Sequence, residues 1–380
     1  MFLSVKKRII IYTVGIIAVV VLIMQCSGCS GIRKVTDVIT NPSAREVYKR
    51  EFKDNETVFN VWQAAHDKAL YDSLTVNLPY GEKGKFGNGH NKVYSYTITL
   101  EEGEMLRAEV YKDSVTQRVF TELYENDEMV ANAAIDENGI AYATKTSGVY
   151  QLIIQPEVAA NTNFFISITK HPQYSFPVAG KSNNAVGSFW GMPRDGGKRR
   201  HEGIDIFAAK GTPVTAATNG YISYAGEKGL GGKQVWLRDG LLGKSLYYAH
   251  LDSIAVNVTA RVSAGDTLGF VGNTGNARFT PPHLHFGIYR SGGAVNPLPF
   301  VYETETINRS DFPFTLQSQE LRVKSTANIR QGPSTEFEKL GQLDANDTVI
   351  VLGQHKDWLH IETPAGSKAF LHKSLARELK

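Results

Sequence analysis

The chain has 380 residues and only two cysteines, Cys26 and Cys29, both near its start. No disulfide can link two points beyond residue 29, so stability there must come from hydrophobic cores large enough to stand without staples. A dominant charge sign is also missing. Lys and Arg number 41 against 38 Asp and Glu, leaving a net charge of +3. No arginine-rich arm or basic helix gathers those cations, which argues against nucleic acid as a partner. What the chain does have is 35 glycines and 17 tyrosines in a sequence that is 42% hydrophobic. That balance leans towards β structure with many turns, and the length suits two to four domains.

One long apolar run stands out, "IIIYTVGIIAVVVLIM" from Ile9 to Met24, preceded by Lys6, Lys7 and Arg8. It is slightly short for a comfortable membrane span and suits the apolar core of an export signal. "CSGC" follows, with the small residues Ser27 and Gly28 ahead of Cys29. This resembles the lipidation site of a bacterial lipoprotein, although Cys26 takes the position where leucine is usual. An uncleaved signal anchor is the alternative. Both readings place the rest of the chain outside the cytoplasm and attached to a membrane.

After this anchor (residues 1–29), residues 30–57 read as a polar tether containing Pro42. Residues 58–172 are expected to form a helix plus a β-sandwich accessory domain. Phe59, Trp62, Ala65, Ala69 and Leu70 recur mostly at three- and four-residue spacings, which predicts a helix docked on a sheet. The period then changes to two. Tyr94, Tyr96, Ile98 and Leu100 alternate with polar residues, as do Tyr150, Leu152 and Ile154, and Phe164, Ile166 and Ile168. Strands at such intervals, with turn residues between them, predict an antiparallel sandwich. His66, His90 and His171 read as packing or surface histidines.

Chemistry concentrates in residues 173–305. "HEGID" places His201 and Asp205 four apart. A helix would put both on one face, but Gly203, Ile204, Ile206 and Phe207 are poor helix material. An extended strand also puts both on one face, because four is even, and turns Glu202 away. "PPHLHFGIY" places His283 and His285 two apart in a strand-like run, so both imidazoles face one side. "YYAHLDSI" adds His250 at the end of another such run. Together these segments supply more metal-binding groups than a single zinc needs.

The order H-x-x-x-D, Y-A-H-L, H-L-H-F-G resembles the lysostaphin and LytM type of peptidoglycan metalloendopeptidase. "GTPVTAATNGYI", "GGKQVWL" and "VSAGDTLGFVGNTG" agree in the surroundings. The resemblance implies one Zn2+ per chain, held by His201, Asp205 and His285, with His250 and His283 as the catalytic pair. Which of the two is base and which is acid stays open. Two imidazoles and a carboxylate leave a fourth position open for water, as catalytic zinc requires. A zinc-activated water and a histidine pair acting as general acid and base would hydrolyse the peptide cross-links of peptidoglycan. The alternative is a non-catalytic envelope protein of the same fold that binds peptidoglycan or activates another hydrolase. In the loop "MPRDGGKRR", Arg194, Arg199 and Arg200 are expected to attract the carboxylates of stem peptides.

Residues 306–317 read as a linker. In residues 318–380, "ANIRQGPST", Trp358 and "KAFLHKSL" resemble a bacterial SH3-like domain, a module that commonly binds cell-wall peptides. The expected architecture is mainly β and multidomain: an antiparallel sandwich, an antiparallel LytM-type peptidase sheet and a small SH3-like barrel.

Overall fold

The structure, a computed structural model, describes residues 42–87, 92–240, 243–312, 314 and 318–378. The expected anchor segment (residues 1–29), with Cys29, lies outside the described residues, as does His90. Two compact units divide the chain, Met1–Phe59 and Asn60–Lys380. In the first, helix α1 (Ala44–Lys49) opens on a capping box. Ser43 Oγ accepts from Glu46 N–H, and the Glu46 carboxylate accepts from Ser43 N–H at 2.7 Å. Two donors that any helix start leaves open are thereby satisfied.

The second unit contains the larger part of helix α2 (Glu56–Ala69) and the sandwich strands. These are β1 (Tyr80–Lys85), β2 (Tyr94–Leu100), β3 (Glu104–Lys112), β4 (Val119–Glu125), β5 (Glu128–Asn132), β6 (Gly139–Ala143), β7 (Gly148–Pro156) and β8 (Asn163–Pro172). One face is the sheet β2-β7-β4-β5, and the other contains β1-β8-β3-β6, antiparallel throughout. The apolar positions of the period-two runs on β2, β7 and β8 meet in one buried cluster between the faces. Ile153 breaks the alternation yet is buried, because Ala65, Ala69 and Leu70 of the helical segment cover its outer side. Trp62 fixes that docking: its indole N–H donates to Pro156 O at 2.8 Å and its ring meets Phe120 edge-on.

The next sheet has ten strands: β9 (Val186–Ser188), β12 (Ile204–Phe207), β13 (Pro213–Thr215), β14 (Gly220–Glu227), β15 (Lys233–Arg238), β16 (Ser245–Ile254), β17 (Arg261–Val262), β18 (Thr267–Val271), β19 (His283–Arg290) and β20 (Gly293–Val295). A separate two-stranded hairpin, β10 (Pro193–Arg194) with β11 (Arg199–Arg200), lies between β9 and β12 in the chain. The order β17-β14-β15-β16-β19-β12-β9 puts the three histidine- or aspartate-bearing strands β16, β19 and β12 side by side. A short helix, α3 (Leu298–Val301), ends this region, and Phe300 stacks on Tyr174 at 5.4 Å.

The C-terminal strands are β21 (Glu320–Val323), β22 (Ala327–Arg330), β23 (Lys339–Leu343), β24 (Thr348–His355), β25 (Trp358–Glu362), β26 (Lys368–His372) and β27 (Ala376–Glu378). They enclose their own apolar cluster, built on Val323, Val349, Ile361 and Leu371. They are not a separate bead on a string. β24 pairs with β1 of the sandwich, making one sheet of 11 strands. Leu352, Trp358 and Phe370 pack on the sandwich core. At the junction Glu82 and His360 are both fully buried, with His360 Nδ1 at 3.1 Å from Glu82 Oε1. Tyr80 and Tyr96 hydroxyls donate to the other carboxylate oxygen. Gly353 faces this group with no room for a side chain, since a Cβ there would lie 2.1 Å from Glu82 Oε1. The expected linker is pinned as well: Phe312 is buried against Phe165 and His355.

Candidate metal centre

Pairing register assembles the site. On β12 and β19, Asp205 lies directly opposite His285, and Phe207 opposite His283. His285 is in turn opposite Ala249 on β16, next to His250. The period of two puts His283 and His285 on one face of β19. His201 is not part of a strand; it precedes β12, following the hairpin β10–β11. Gly203 makes this approach possible: a Cβ there would lie 2.6 Å from His285 Cε1 and 2.6 Å from Phe286 O. Glu202, which strand alternation would turn away, lines the same groove. The strand argument fails at that residue because the strand begins only at Ile204.

His201 Nε2, Asp205 Oδ1 and His285 Nδ1 form a triangle whose three edges are each 3.0 Å. This group of three is able to hold a metal ion. Donors about 2.0 Å from a tetrahedral zinc stand about 3.3 Å apart, close to the observed edges. His201 Nδ1 is 2.9 Å from Phe189 O, and a carbonyl only accepts, so the proton sits on Nδ1 and Nε2 keeps its lone pair for the triangle. Burial disfavours ionisation of Asp205, but the adjacent His201 and His285 imidazoles outweigh it and hold the carboxyl well below the usual carboxylate range. Burial also pushes the pKa of His285 down.

His250 and His283 flank the triangle. Their rings are 5.1 Å apart, and that of His250 is 5.8 Å from His285. His283 Nε2 is 4.0 Å from Asp205 Oδ1. Both rings are oriented alike, with Nδ1–H donating to a backbone carbonyl: Thr274 O at 2.9 Å for His250 and Pro281 O at 2.8 Å for His283. Each neutral ring thus keeps Nε2 as a proton acceptor. Burial, with His285 and His283 adding to it, lowers the pKa of His250 to about 4. His250 also has φ of 63° at a bulge in the pairing of β15 and β16, a left-handed conformation that disfavours any side chain except glycine's hydrogen. Bulges re-aim a side chain, and strain of this kind gathers at functional sites.

The five residues line a groove of ≈ 770 Å³ together with Arg194, Arg199, Arg200, Tyr247 and Phe207. All groove-lining residues fall between Ser188 and Tyr289; among the described residues none belongs to the sandwich. Sequence reasoning missed Tyr247 and Phe207. Tyr247 meets His285 edge-on at 5.7 Å, and Phe207 meets His283 at 5.2 Å. Only their positions within the strands that bear the histidines and Asp205 hinted at this. The three arginines separate in the structure. Arg199 and Arg200 are exposed on the groove wall, whereas the Arg194 guanidinium is bonded to Asp205 Oδ2 at 2.9 Å and to Ser188 Oγ.

Residues 199–297, which contain every one of these histidines, match the model of Peptidase family M23. The chain carries a peptidase family M23 domain. Residues 325–376 match a bacterial SH3 domain, so the resemblance drawn from the sequence holds for both modules. Over 129 residues the chain is 35% identical to an L-Ala--D-Glu endopeptidase of Bacillus subtilis, a stretch that is 32% of this chain and 39% of that protein. Over 113 residues it is 39% identical to the DD-carboxypeptidase/endopeptidase Mpg of Neisseria meningitidis, covering 30% of this chain and 25% of the relative. The matches therefore span well under half the length of these curated relatives. The crystallised catalytic domain of lysostaphin from Staphylococcus simulans is 35% identical, with 31% of this chain and 92% of that one covered and a TM-score of 0.29.

Proposed function

We propose that this chain is a zinc-dependent endopeptidase that hydrolyses peptide cross-links of bacterial peptidoglycan, working outside the cytoplasm from a membrane anchor at its N-terminus. The observation that carries this reading is the 3.0 Å triangle of His201, Asp205 and His285 with two further imidazoles beside it in an open groove. His201, Asp205 and His285 would hold the ion. When bound, zinc supplies Lewis acidity and a water acidic enough to deprotonate near neutral pH. His250 and His283, each fixed through Nδ1, present Nε2 groups that take up a proton and return it to the leaving amine. Whichever ring is protonated also stabilises negative charge on the carbonyl oxygen. Arg199 and Arg200 on the groove wall attract the carboxylates of stem peptides, which glycine bridges lack. A lipoprotein-type signal in a chain without disulfides favours a bond within directly cross-linked stem peptides, such as D-alanyl to diaminopimelate, over a glycine bridge.

Measuring metal content and digesting two purified walls, one directly cross-linked and one glycine-bridged, tests the reading by mass spectrometry of the released muropeptides. One zinc per chain and cleaved stem-peptide cross-links are expected. Zinc-free protein, or both walls left intact by zinc-loaded protein, would favour a non-catalytic envelope protein instead.

A further inference from the structure

Arg194 was expected to reach for substrate, but the structure gives its charge to the metal triangle. Its guanidinium donates to Asp205 Oδ2 at 2.9 Å, the oxygen that the triangle does not use. The same Nη2 donates to Ser188 Oγ, and Ser188 is the cross-strand partner of Asp205 on β9. Ser188 Oγ in turn is 3.3 Å from His201 Nδ1. One guanidinium thus touches the carboxylate directly and reaches the back of His201 through a hydroxyl. The hairpin β10–β11 delivers it, turning at Gly196 and Gly197 with φ of 67° and 91°, a conformation that glycine adopts without strain.

A free carboxylate can bind a metal through one oxygen or two. The difference decides how much of the coordination sphere is left for substrate. We propose that Arg194 is a positioning residue that engages Asp205 Oδ2 and so leaves Oδ1 as the single oxygen through which this carboxylate would bind the ion. This rests on the metal reading given above. The charge balance agrees: the pairing with Asp205 is charge-assisted, and strong enough to commit one oxygen, only while the other oxygen remains available to the triangle. Both contacts come from one nitrogen, Nη2, so a lysine ammonium that reached this point would keep part of the pairing as a point charge.

The test replaces zinc by Co2+ in the full chain and its Arg194→Ala, Arg194→Gln and Arg194→Lys variants, each checked for native circular dichroism. Visible absorption of Co2+ reports coordination number without requiring turnover. Wild type is expected to give an intense four-coordinate spectrum. Arg194→Ala and Arg194→Gln should give the weaker bands of a five-coordinate site, with Arg194→Lys in between. Metal affinity, read by competition with a chelator, should change about 10- to 100-fold in the Ala variant, as for other outer partners of metal ligands. At matched occupancy kcat should fall while KM for a soluble muropeptide stays near wild type. An unchanged spectrum and affinity with a raised KM would overturn the proposal and return Arg194 to substrate binding. A wild type that takes up no Co2+ would sink the metal reading itself, and this inference with it.

Discussion

Replacing His360 by alanine should open the seam between the SH3 module and the sandwich while leaving the M23 domain intact. Glu82 is fully buried and accepts three hydrogen bonds, from Tyr80, Tyr96 and His360. Without His360 the carboxylate keeps two neutral donors and no basic partner. Breaking one side of a buried pair costs about 3–5 kcal/mol, because the remaining charge is left uncompensated. At about 1.36 kcal/mol per factor of ten, amide protection in β1, β24 and β25 should fall roughly 10²- to 10⁴-fold. Hydrogen exchange followed by mass spectrometry measures this strand by strand, with β12 and β19 as internal controls. In a Glu82→Gln background no buried carboxylate remains to be orphaned, so the same His360→Ala step should cost about 1–3 kcal/mol less. The pH dependence has a definite sign. Burial raises the pKa of Glu82, but His360 and the two tyrosines outweigh it, so the folded value is depressed. The stabilisation is therefore complete above the unfolded value of about 4.3 and disappears as pH falls through the lower folded value. Glu82→Gln should lose that acid sensitivity. Equal cost of His360→Ala in both backgrounds would refute the argument and leave the seam to the packing of Trp358 and Phe370 alone.

Other outcomes follow from the site. Alanine at His201, Asp205 or His285 should remove zinc and hydrolysis together, whereas alanine at His250 or His283 should keep zinc and slow hydrolysis by roughly two to four orders of magnitude; metal loss from His283→Ala with retention in His285→Ala would reverse the roles. Gly203→Ala should drive His285 off its position, because the new Cβ would lie 2.6 Å from the ring, and lower metal affinity about 10- to 100-fold in a chelator titration; wild-type affinity would show that the loop yields freely. Cys29→Ser should block processing and fatty-acid labelling, leaving a longer protein, and equal labelling of both forms would rule out lipidation at that cysteine.

Much of this protein is legible in its sequence because strand alternation and motif spacing are local. Period two is enough to put His283 and His285 on one face and to mark Tyr94, Tyr96, Ile98 and Leu100 as core. The spacing in "HEGID" suggests His201 and Asp205 as a pair, although His201 reaches Asp205 from outside the strand, and "ANIRQGPST" is enough to suggest the SH3 module. Alternation cannot say which strands become neighbours. Only the order β16-β19-β12 and its register bring Asp205 opposite His285 and His250 beside them. The left-handed backbone at His250 comes from a bulge, and bulges depend on the partner strand. Glu202 was misplaced because strand alternation was applied to a residue two positions before the strand starts. Arg194 reads as one cation among several in a basic loop, until the hairpin folds its guanidinium onto Asp205. The seam is the extreme case: Glu82 and His360 are 278 positions apart, and neither carries any local sign of the other. Local periodicity decides which side chains share a face, but the partner of a buried charge is chosen by chain segments distant in sequence, and only the tertiary structure brings those together.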